Sequence, residues 1–163
     1  MNVGVVSDTH DNREIVESAA GLFAGRVGAV VHCGDMVAPF SVTPFDRDYD
    51  FYAVRGNNDG EWMLRDAVRS FGAYLGEFGK LSLGGKSIAV YHGTNRPIVD
   101  ALVNCGDYDY VLHGHSHQQT HERTGDTVRI NPGGVSTGPG DDEPPAAVVL
   151  DTDTGDATFH DLP

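Results

Sequence analysis

Apolar and polar positions alternate in blocks along the chain, and these blocks predict strands and helices in turn. The apolar run at residues 3–7 predicts a buried first strand. Apolar residues at helical spacing then predict a helix that ends at Gly25, with Asp11 as its N-cap and Glu14 at the capping-box position. The chain therefore begins with a strand followed by a helix.

The same reading continues to the end of the chain. Further strands are predicted at 27–32, 50–55, 77–83, 86–91, 109–113, 119–124, 127–130, 146–151 and 156–161, and helices at 60–71 and 96–105. Gly84-Gly85 is typical of a hairpin turn, and residues 131–145, with four glycines and four prolines, predict a loop. The order predicts an α/β fold, a four-layer αββα sandwich in which two mixed β-sheets are flanked by helices, as one domain over residues 1–163.

Potential metal ligands follow five of the predicted strands. They are the side chains of Asp8, His10, Asp35, Asn57, His92, His115 and His117. Ligands in α/β sheets bind at the carboxyl ends of strands, so these side chains are expected to meet at one edge. The pairs Asp8/His10 and His115/His117 are two residues apart, and in extended chain such residues point the same way. Together the residues predict a two-metal centre.

The donor set narrows the kind of metal. Imidazole and carboxylate together suit manganese, iron, cobalt, nickel or zinc, and the lack of thiolate motifs argues against a structural zinc site. Two ions about 3.5–4 Å apart activate a water molecule for in-line attack on phosphorus. The donor set is therefore compatible with in-line displacement at phosphorus.

The motifs also resemble a known family. Asp8-Thr9-His10, Gly34-Asp35, Gly56-Asn57-Asn58-Asp59, His92-Gly93 and Gly114-His115-Ser116-His117 are similar, in order and spacing across residues 3–135, to the motifs of the calcineurin-like metallophosphoesterases. Ser7-Asp8-Thr9-His10-Asp11, His32-Cys33-Gly34-Asp35 and Asn131-Pro132-Gly133 resemble its small archaeal and bacterial phosphodiesterase branch most closely. The resemblance implies a metallophosphoesterase-like fold and a small phosphoester as substrate.

The resemblance further implies two divalent ions, manganese first, with nickel, iron or zinc as alternatives. One ion would be bound by Asp8, His10, Asp35 and His117, and the other by Asp35, Asn57, His92 and His115, so that Asp35 bridges them. Many members carry a histidine after the ligand asparagine that protonates the leaving group. Here that residue is Asn58, whose amide can orient phosphate but cannot act as a general acid. Asn58 and Asp59 are the predicted catalytic residues beside the metals, and hydrogen bonds that fix the loop are the alternative role for Asp59.

Composition bounds the remaining properties. The formal net charge is −13, with two lysines against nine arginines, which disfavours nucleic acid as a partner. An acidic, lysine-poor surface suits a salt-rich cytoplasm, and a GC-rich genome is the alternative explanation. Neither a signal peptide nor a membrane span is apparent, so the expectation is a cytoplasmic protein, with a homo-oligomer left open. Cys33 and Cys105 are expected to be buried free thiols.

The roles of several other side chains allow two interpretations from the sequence. Arg55 and Arg96 adjoin the motifs and could either hold a substrate phosphate or form structural ion pairs. His32 is expected in the interior and His113 in a packing role. The helix at 60–71 is expected to bury its apolar side, which carries Trp62, Met63, Val68 and Phe71. The alternative functions are a phosphomonoesterase, a nuclease, and a non-catalytic scaffold with the same fold.

Overall fold

Two β-sheets pack face to face in the computed structural model, which describes residues 1–60, 62–135 and 143–163. The strands are β1 Asn2–Val6, β2 Ala29–His32, β3 Asp50–Ala53, β4 Ala73–Tyr74, β5 Phe78–Leu83, β6 Lys86–Tyr91, β7 Tyr110–Leu112, β8 Thr120–Thr124, β9 Thr127–Asn131, β10 Ala146–Asp151 and β11 Ala157–Asp161. The helices are α1 Arg13–Phe23, α2 Trp62–Arg69 and α3 Arg96–Asn104, and single 3-10 turns lie at Pro39–Ser41 and Thr43–Phe45.

Both sheets are mixed. The first has the order β11-β10-β1-β2-β3-β4, with β1 to β4 parallel and the two C-terminal strands antiparallel. The second has the order β5-β6-β7-β9-β8, with β6, β7 and β9 parallel between two antiparallel edge strands. This arrangement, with helices on the outside, confirms the predicted two mixed sheets with flanking helices.

Three apolar clusters separate the layers. Ile15 and Phe23 of α1 pack with Leu64 of α2 against the outer face of the first sheet. Val5 and Leu112 belong to the cluster between the two sheets. α3 covers the outer face of the second sheet. The layers therefore run helix, sheet, sheet, helix.

Gly4 allows Phe23 of α1 to pack directly on β1. A Cβ atom added at Gly4 would lie 2.7 Å from the ring of Phe23, which is fully buried. Only a residue without a side chain lets α1 approach β1 this closely, so the position of the helix depends on this glycine.

Several sequence-based expectations were wrong in detail. Asn12 rather than Asp11 caps α1, since its side chain accepts a hydrogen bond from the Ile15 N–H. Asp11 instead adopts a positive φ of 57° and accepts a hydrogen bond from the Ala38 N–H. Its carboxylate therefore ties together the loops after β1 and β2.

The buried face of α2 was predicted only in part, since Val68 is buried and Phe71 packs against the core as expected. Trp62 and Met63 are 68% and 50% exposed, and the buried residues are Leu64 and Val68. The short strand β4 was not predicted, because two residues are too few for a period-2 pattern. Both cysteines are free as expected, but Cys105 is exposed.

The predicted loop at 131–145 lies partly outside the described residues, and Asn131 ends β9. Among the described helices, none is long and apolar enough to cross a membrane. The single domain over residues 1–163 stays a prediction.

Candidate metal centre

Five loops that follow parallel strands meet at one end of the sandwich. β1, β2 and β3 lead into Asp8/His10, Asp35 and Asn57, while β6 and β7 of the other sheet lead into His92 and His115/His117. The loops surround a pocket of about 600 Å³ lined by His10, Asp35, Val37, Asn57, Asn58, His115, Ser116 and His117. Asp8 and His92 are fully buried. The structure thus brings all seven predicted ligands to one site.

The donor atoms form two overlapping groups. Asp8, His10 and His117 make one group and Asp8, Asp35 and His92 the other, with the donor atoms of each within 4.8 Å of one another. Asn57 adjoins the second group, since its Oδ1 lies 3.1 Å from His92 Nε2.

The distances place one carboxylate oxygen of each aspartate among the histidines. Asp8 Oδ1 lies 3.3 Å from His117 Nε2 and 3.9 Å from the Nε2 atoms of His10 and His92. Asp35 Oδ2 lies 3.8 Å from His10 Nε2 and 3.4 Å from His92 Nε2. Both carboxylates are therefore near both donor groups, and the bridging role of Asp35 stays a prediction.

His115 is the most exposed candidate imidazole. Its ring centroid lies 5.2 Å from that of His92, and it is outside both compact groups. It faces the pocket from the second sheet.

The donor set fits a cation because two polar atoms are buried without a partner. Among the described residues, Asp8 Oδ1 and His10 Nε2 are inaccessible to water and make no hydrogen bond. Such atoms cost about 1–3 kcal/mol each unless something binds them. A divalent cation between the histidines and carboxylates would supply that partner.

Hydrogen bonds hold the unused donor and acceptor atoms of the ligands. Asp8 Oδ2 accepts from Ser7 Oγ at 2.5 Å and from the His115 N–H at 2.9 Å. His92 Nδ1 donates to the Cys33 carbonyl at 2.8 Å, so its Nε2 faces the site. Asp8 and His92 thus each have one atom fixed by the protein and another turned to the centre.

Asp59 joins the loops after β2 and β3. It is 3% exposed, and its carboxylate accepts from the N–H groups of Asp35, Gly56 and Val37 at 2.9, 2.8 and 2.7 Å. Arg55 Nε donates to the Asp59 carbonyl, and Arg55 Nη1 pairs with Glu77. Asp59 therefore holds the backbone beneath Asp35, and Arg55 forms a structural ion pair.

Asn58 contacts Asp35 twice. Its N–H donates to Asp35 Oδ1 at 2.8 Å, and its Nδ2 donates to Oδ2 at 2.7 Å. The side chain is exposed at the pocket rim, where it can reach a ligand.

The surroundings shift the pKa values of these groups. Burial alone would raise the pKa of Asp35, but hydrogen bonds from His92 and Asn58 hold it well below its usual range. Burial alone would raise the pKa of Asp8 as well, but the nearby imidazoles of His117 and His92 and the hydrogen bond from Ser7 outweigh burial and lower it. Burial lowers the pKa of His92, yet the bond to Asp35 and the charge of Asp8 raise it overall. The site therefore keeps both carboxylates charged.

Most candidate ligands have left-handed backbone. Positive φ angles occur at Asp8 (52°), His10 (42°), Asp35 (58°), His115 (68°) and His117 (55°). The expectation that Asp8/His10 and His115/His117 lie in extended chain was therefore wrong. The two pairs meet through tight turns after the strands.

Two glycines allow the loops to interlock. A Cβ at Gly114 would collide with Ser7 Oγ and the Asp8 carboxylate, and one at Gly56 would collide with Asp35. At these positions the backbone of one loop packs directly on the ligand of another, which no larger residue permits.

Two positioning residues were missed from the sequence. Ser7 orients Asp8, and the fully buried Asn131 donates from Nδ2 to the Gly114 carbonyl at 3.2 Å and to Ser116 Oγ at 2.9 Å. Both stand in motifs that carry the family resemblance, but a lone serine or asparagine does not by itself indicate a positioning role.

Other histidines and arginines have structural roles. His32 is fully buried, lies 3.2 Å from Thr9 Oγ1 and accepts from the Gly34 N–H, as expected for an interior histidine. Burial lowers the pKa of His113 to about 4, so this ring is neutral near pH 7. Arg96 pairs with Asp100.

The chain belongs to the calcineurin-like phosphoesterase superfamily, since the model of that domain matches residues 1–155. Phosphodiesterase MJ0936 of Methanocaldococcus jannaschii is 30% identical over 161 residues, which are 94% of each chain. The solved structure of an archaeal phosphodiesterase superposes with a TM-score of 0.91 at 28% identity, covering 99% of this chain and 100% of that one.

A more distant neighbour shares the fold alone. Vps29 of Entamoeba histolytica, solved with zinc, has a TM-score of 0.71 at 19% identity, covering 99% of this chain and 98% of that one. The comparisons confirm the resemblance, including its archaeal phosphodiesterase branch, and the family implies divalent metals.

Proposed function

We propose that the protein is a phosphodiesterase that holds two divalent ions, with manganese the first candidate and nickel, iron or zinc the alternatives. The observation that carries the proposal is the pair of donor groups sharing Asp8, in which Asp8 Oδ1 and His10 Nε2 are buried without partners. Family membership and the 30% identical phosphodiesterase support the reaction class.

The seven candidate ligands divide between two proposed ion sites, which extend the two donor groups by Asn57 and His115. Asp8, His10 and His117 would hold one ion, and Asp35, Asn57, His92 and His115 the other, with Asp35 within reach of both. Bound ions supply a water of lowered pKa and positive charge that stabilises the negative charge developing on the phosphoryl oxygens.

The chain's own residues position the substrate. Asn58 has an amide at the pocket rim that can donate to a phosphoryl oxygen. Asp59 acts at a distance by fixing the Asp35 backbone, so we now assign it to positioning. Neither residue supplies a proton to the leaving group. Esters with good leaving groups are therefore the preferred substrates, which favours diesters of this kind over alkyl phosphomonoesters.

A scaffold function is the second candidate, because the Vps29 neighbour shares the fold. The complete set of seven ligands and the unpartnered buried donors favour catalysis. We also retain three proposals: a cytoplasmic location, a homo-oligomer, and a salt-adapted surface, which rests on composition.

The test combines metal content with activity. Metal-free protein is titrated with Mn²⁺ by calorimetry, and hydrolysis of bis(4-nitrophenyl) phosphate is measured with each candidate metal. We expect two ions per chain in the wild type. Asp35→Ala should bind fewer ions and lose activity, because its carboxylate lies near both donor groups.

Asp126→Ala is the matched control, since Asp126 is an exposed aspartate in the β8–β9 turn. It should leave stoichiometry and activity unchanged. An Asp35→Ala protein with wild-type metal content and rate would refute the proposed centre. Metal binding without hydrolysis of any ester would favour the scaffold.

A further inference from the structure

A second groove opens beside the metal centre. We call it the side groove; it has a volume of about 560 Å³ and is lined by Arg96, His113, Ser116, His117, Gln118, Gln119, Thr120, Glu122, Arg129 and Glu143. Ser116 and His117 line both this groove and the metal pocket. Its volume falls in the ~300–1,000 Å³ range of small-molecule sites. A phosphodiester at the metals would thus have room for its second substituent here.

The side groove contains two buried polar side chains with unused hydrogen-bonding atoms. His113 is 7% exposed, and the Arg129 side chain is 12% exposed. Among the described residues, neither His113 Nε2 nor Arg129 Nε has a hydrogen-bond partner. Buried groups of this kind are rare unless a ligand or water completes them.

The two atoms differ in the partner they require. His113 Nδ1 lies 3.1 Å from the Gly114 carbonyl, which can only accept, so Nδ1 carries the proton and Nε2 of the neutral ring is an acceptor. Arg129 Nε is a donor. A ligand that satisfies both must itself donate and accept, as hydroxyl and amide groups do.

The charges in the side groove balance. Arg129 pairs with Glu122 at 2.7 Å, and Arg96 pairs with Asp100 at 2.9 Å. Glu143 accepts from the Gln119 N–H. The cations are therefore already paired, which disfavours a second anionic group and favours an uncharged polar one.

We infer that the side groove is a specificity subsite that binds an uncharged, hydroxyl-bearing substituent of the phosphodiester, such as a nucleoside. The inference rests on the proposed phosphodiesterase function. Gln118, an exposed residue that lines the side groove together with His113 and His117, and Arg129 contribute the contacts that select this substituent.

The test keeps the leaving group constant. Thymidine 5′-(4-nitrophenyl phosphate) and phenyl 4-nitrophenyl phosphate both release 4-nitrophenolate, so a difference in kcat/KM reports the other substituent. We expect the wild type to prefer the thymidine ester. Arg129→Met should lower that preference roughly tenfold, mainly through KM, since a hydrogen bond to a charged group contributes about that factor.

Two further variants separate recognition from folding. Gln118→Leu alters an exposed side chain and should lower the preference in the same direction. Arg123→Met is the control and should leave the preference unchanged, because Arg123 is an exposed residue of β8 that does not line the side groove. Equal preference for both esters in the wild type, or equal losses on both in Arg129→Met, would overturn the inference.

A binding measurement distinguishes this inference from the proposed function. Calorimetry with Mn-loaded protein compares thymidine 5′-monophosphate with phenyl phosphate. The subsite is supported if the wild type binds the nucleotide more tightly than phenyl phosphate and Arg129→Met abolishes this difference. The result holds even for a protein that cleaves neither ester. Without that difference the subsite is wrong, whatever the activity.

Discussion

Replacing Asp59 by alanine should separate a structural role from a chemical one. The carboxylate accepts three backbone N–H bonds of 2.7–2.9 Å from the loops that carry Asp35 and Asn57, and it is 3% exposed. Its pKa is raised, because burial and the charge of Asp35 outweigh those backbone bonds. Asp59→Ala would leave three donors unpaired in a space that water reaches poorly.

The magnitude follows from those three bonds. A hydrogen bond to a charged group contributes about 1.5–3 kcal/mol, and losses in one network are not additive. We therefore expect the free energy of unfolding of the metal-free protein to fall by about 3–5 kcal/mol, a large part of the ~5–15 kcal/mol that stabilises most domains.

The assay is urea unfolding of metal-free protein, followed by metal titration of the folded fraction. Asp59→Asn keeps the shape and one acceptor oxygen, so its loss should be smaller. Asp66→Ala, at a half-exposed aspartate of α2, is the control and should change little. If Asp59→Ala were as stable as wild type and bound metal normally but were inactive, Asp59 would act in the chemistry and the positioning role would be wrong.

Three further outcomes are expected. Asn58→His should raise kcat/KM for alkyl or nucleotide esters by up to ~10²–10⁴-fold, and less for bis(4-nitrophenyl) phosphate; equal changes on both would show that another group supplies the proton. Because the pKa of His92 is raised, its metal-free ring stays protonated to a higher pH than usual. The Mn²⁺ affinity measured by calorimetry should therefore weaken about tenfold for each pH unit below that pKa. Constant affinity from pH 5 to 8 would contradict this. The melting temperature should rise with KCl concentration, since salt screens the net charge of −13, and a salt-independent value would remove the argument for a salt-adapted surface.

His113 does not replace the missing general acid. With a pKa of about 4 caused mainly by burial, the ring is neutral at the pH where the metal ligands must be deprotonated. It also uses Nδ1 on the Gly114 carbonyl. This supports the proposed dependence on the leaving group, which the Asn58→His comparison tests.

The parts of the fold that the sequence predicted well are those with strong local signals. Apolar runs of four to six residues marked β1, β2 and β6, and Gly84-Gly85 adopts positive φ angles of 58° and 75°, as a tight hairpin requires. The candidate ligands follow parallel strands of both sheets, and the carboxyl ends of those strands meet at one end of the sandwich.

The wrong predictions share a physical cause. Asp11 and Asn12 are equally good N-caps in isolation, and only the loop after β2, whose Ala38 N–H binds Asp11, decides between them. Trp62 is spaced from the other apolar residues as a buried helix residue would be, but Leu64 occupies the core position on α2. Leu64 packs with Ile15 and Phe23 of α1. Tertiary contacts overrode local preference in both cases.

The left-handed turns show what this site costs the fold. Among the described residues, seven other than glycine have positive φ, and five of them are candidate ligands. Such a conformation costs roughly 1–2 kcal/mol for each residue with a side chain. Backbone bonds between loops offset part of this, since Asp8 N–H donates to the Gly34 carbonyl and His10 N–H to that of Asp35. The strained turns and the bonds between the loops therefore fix the orientation of the candidate donor atoms. Glycine is required at positions 56 and 114 because the interlocked loops leave no space there for a side chain.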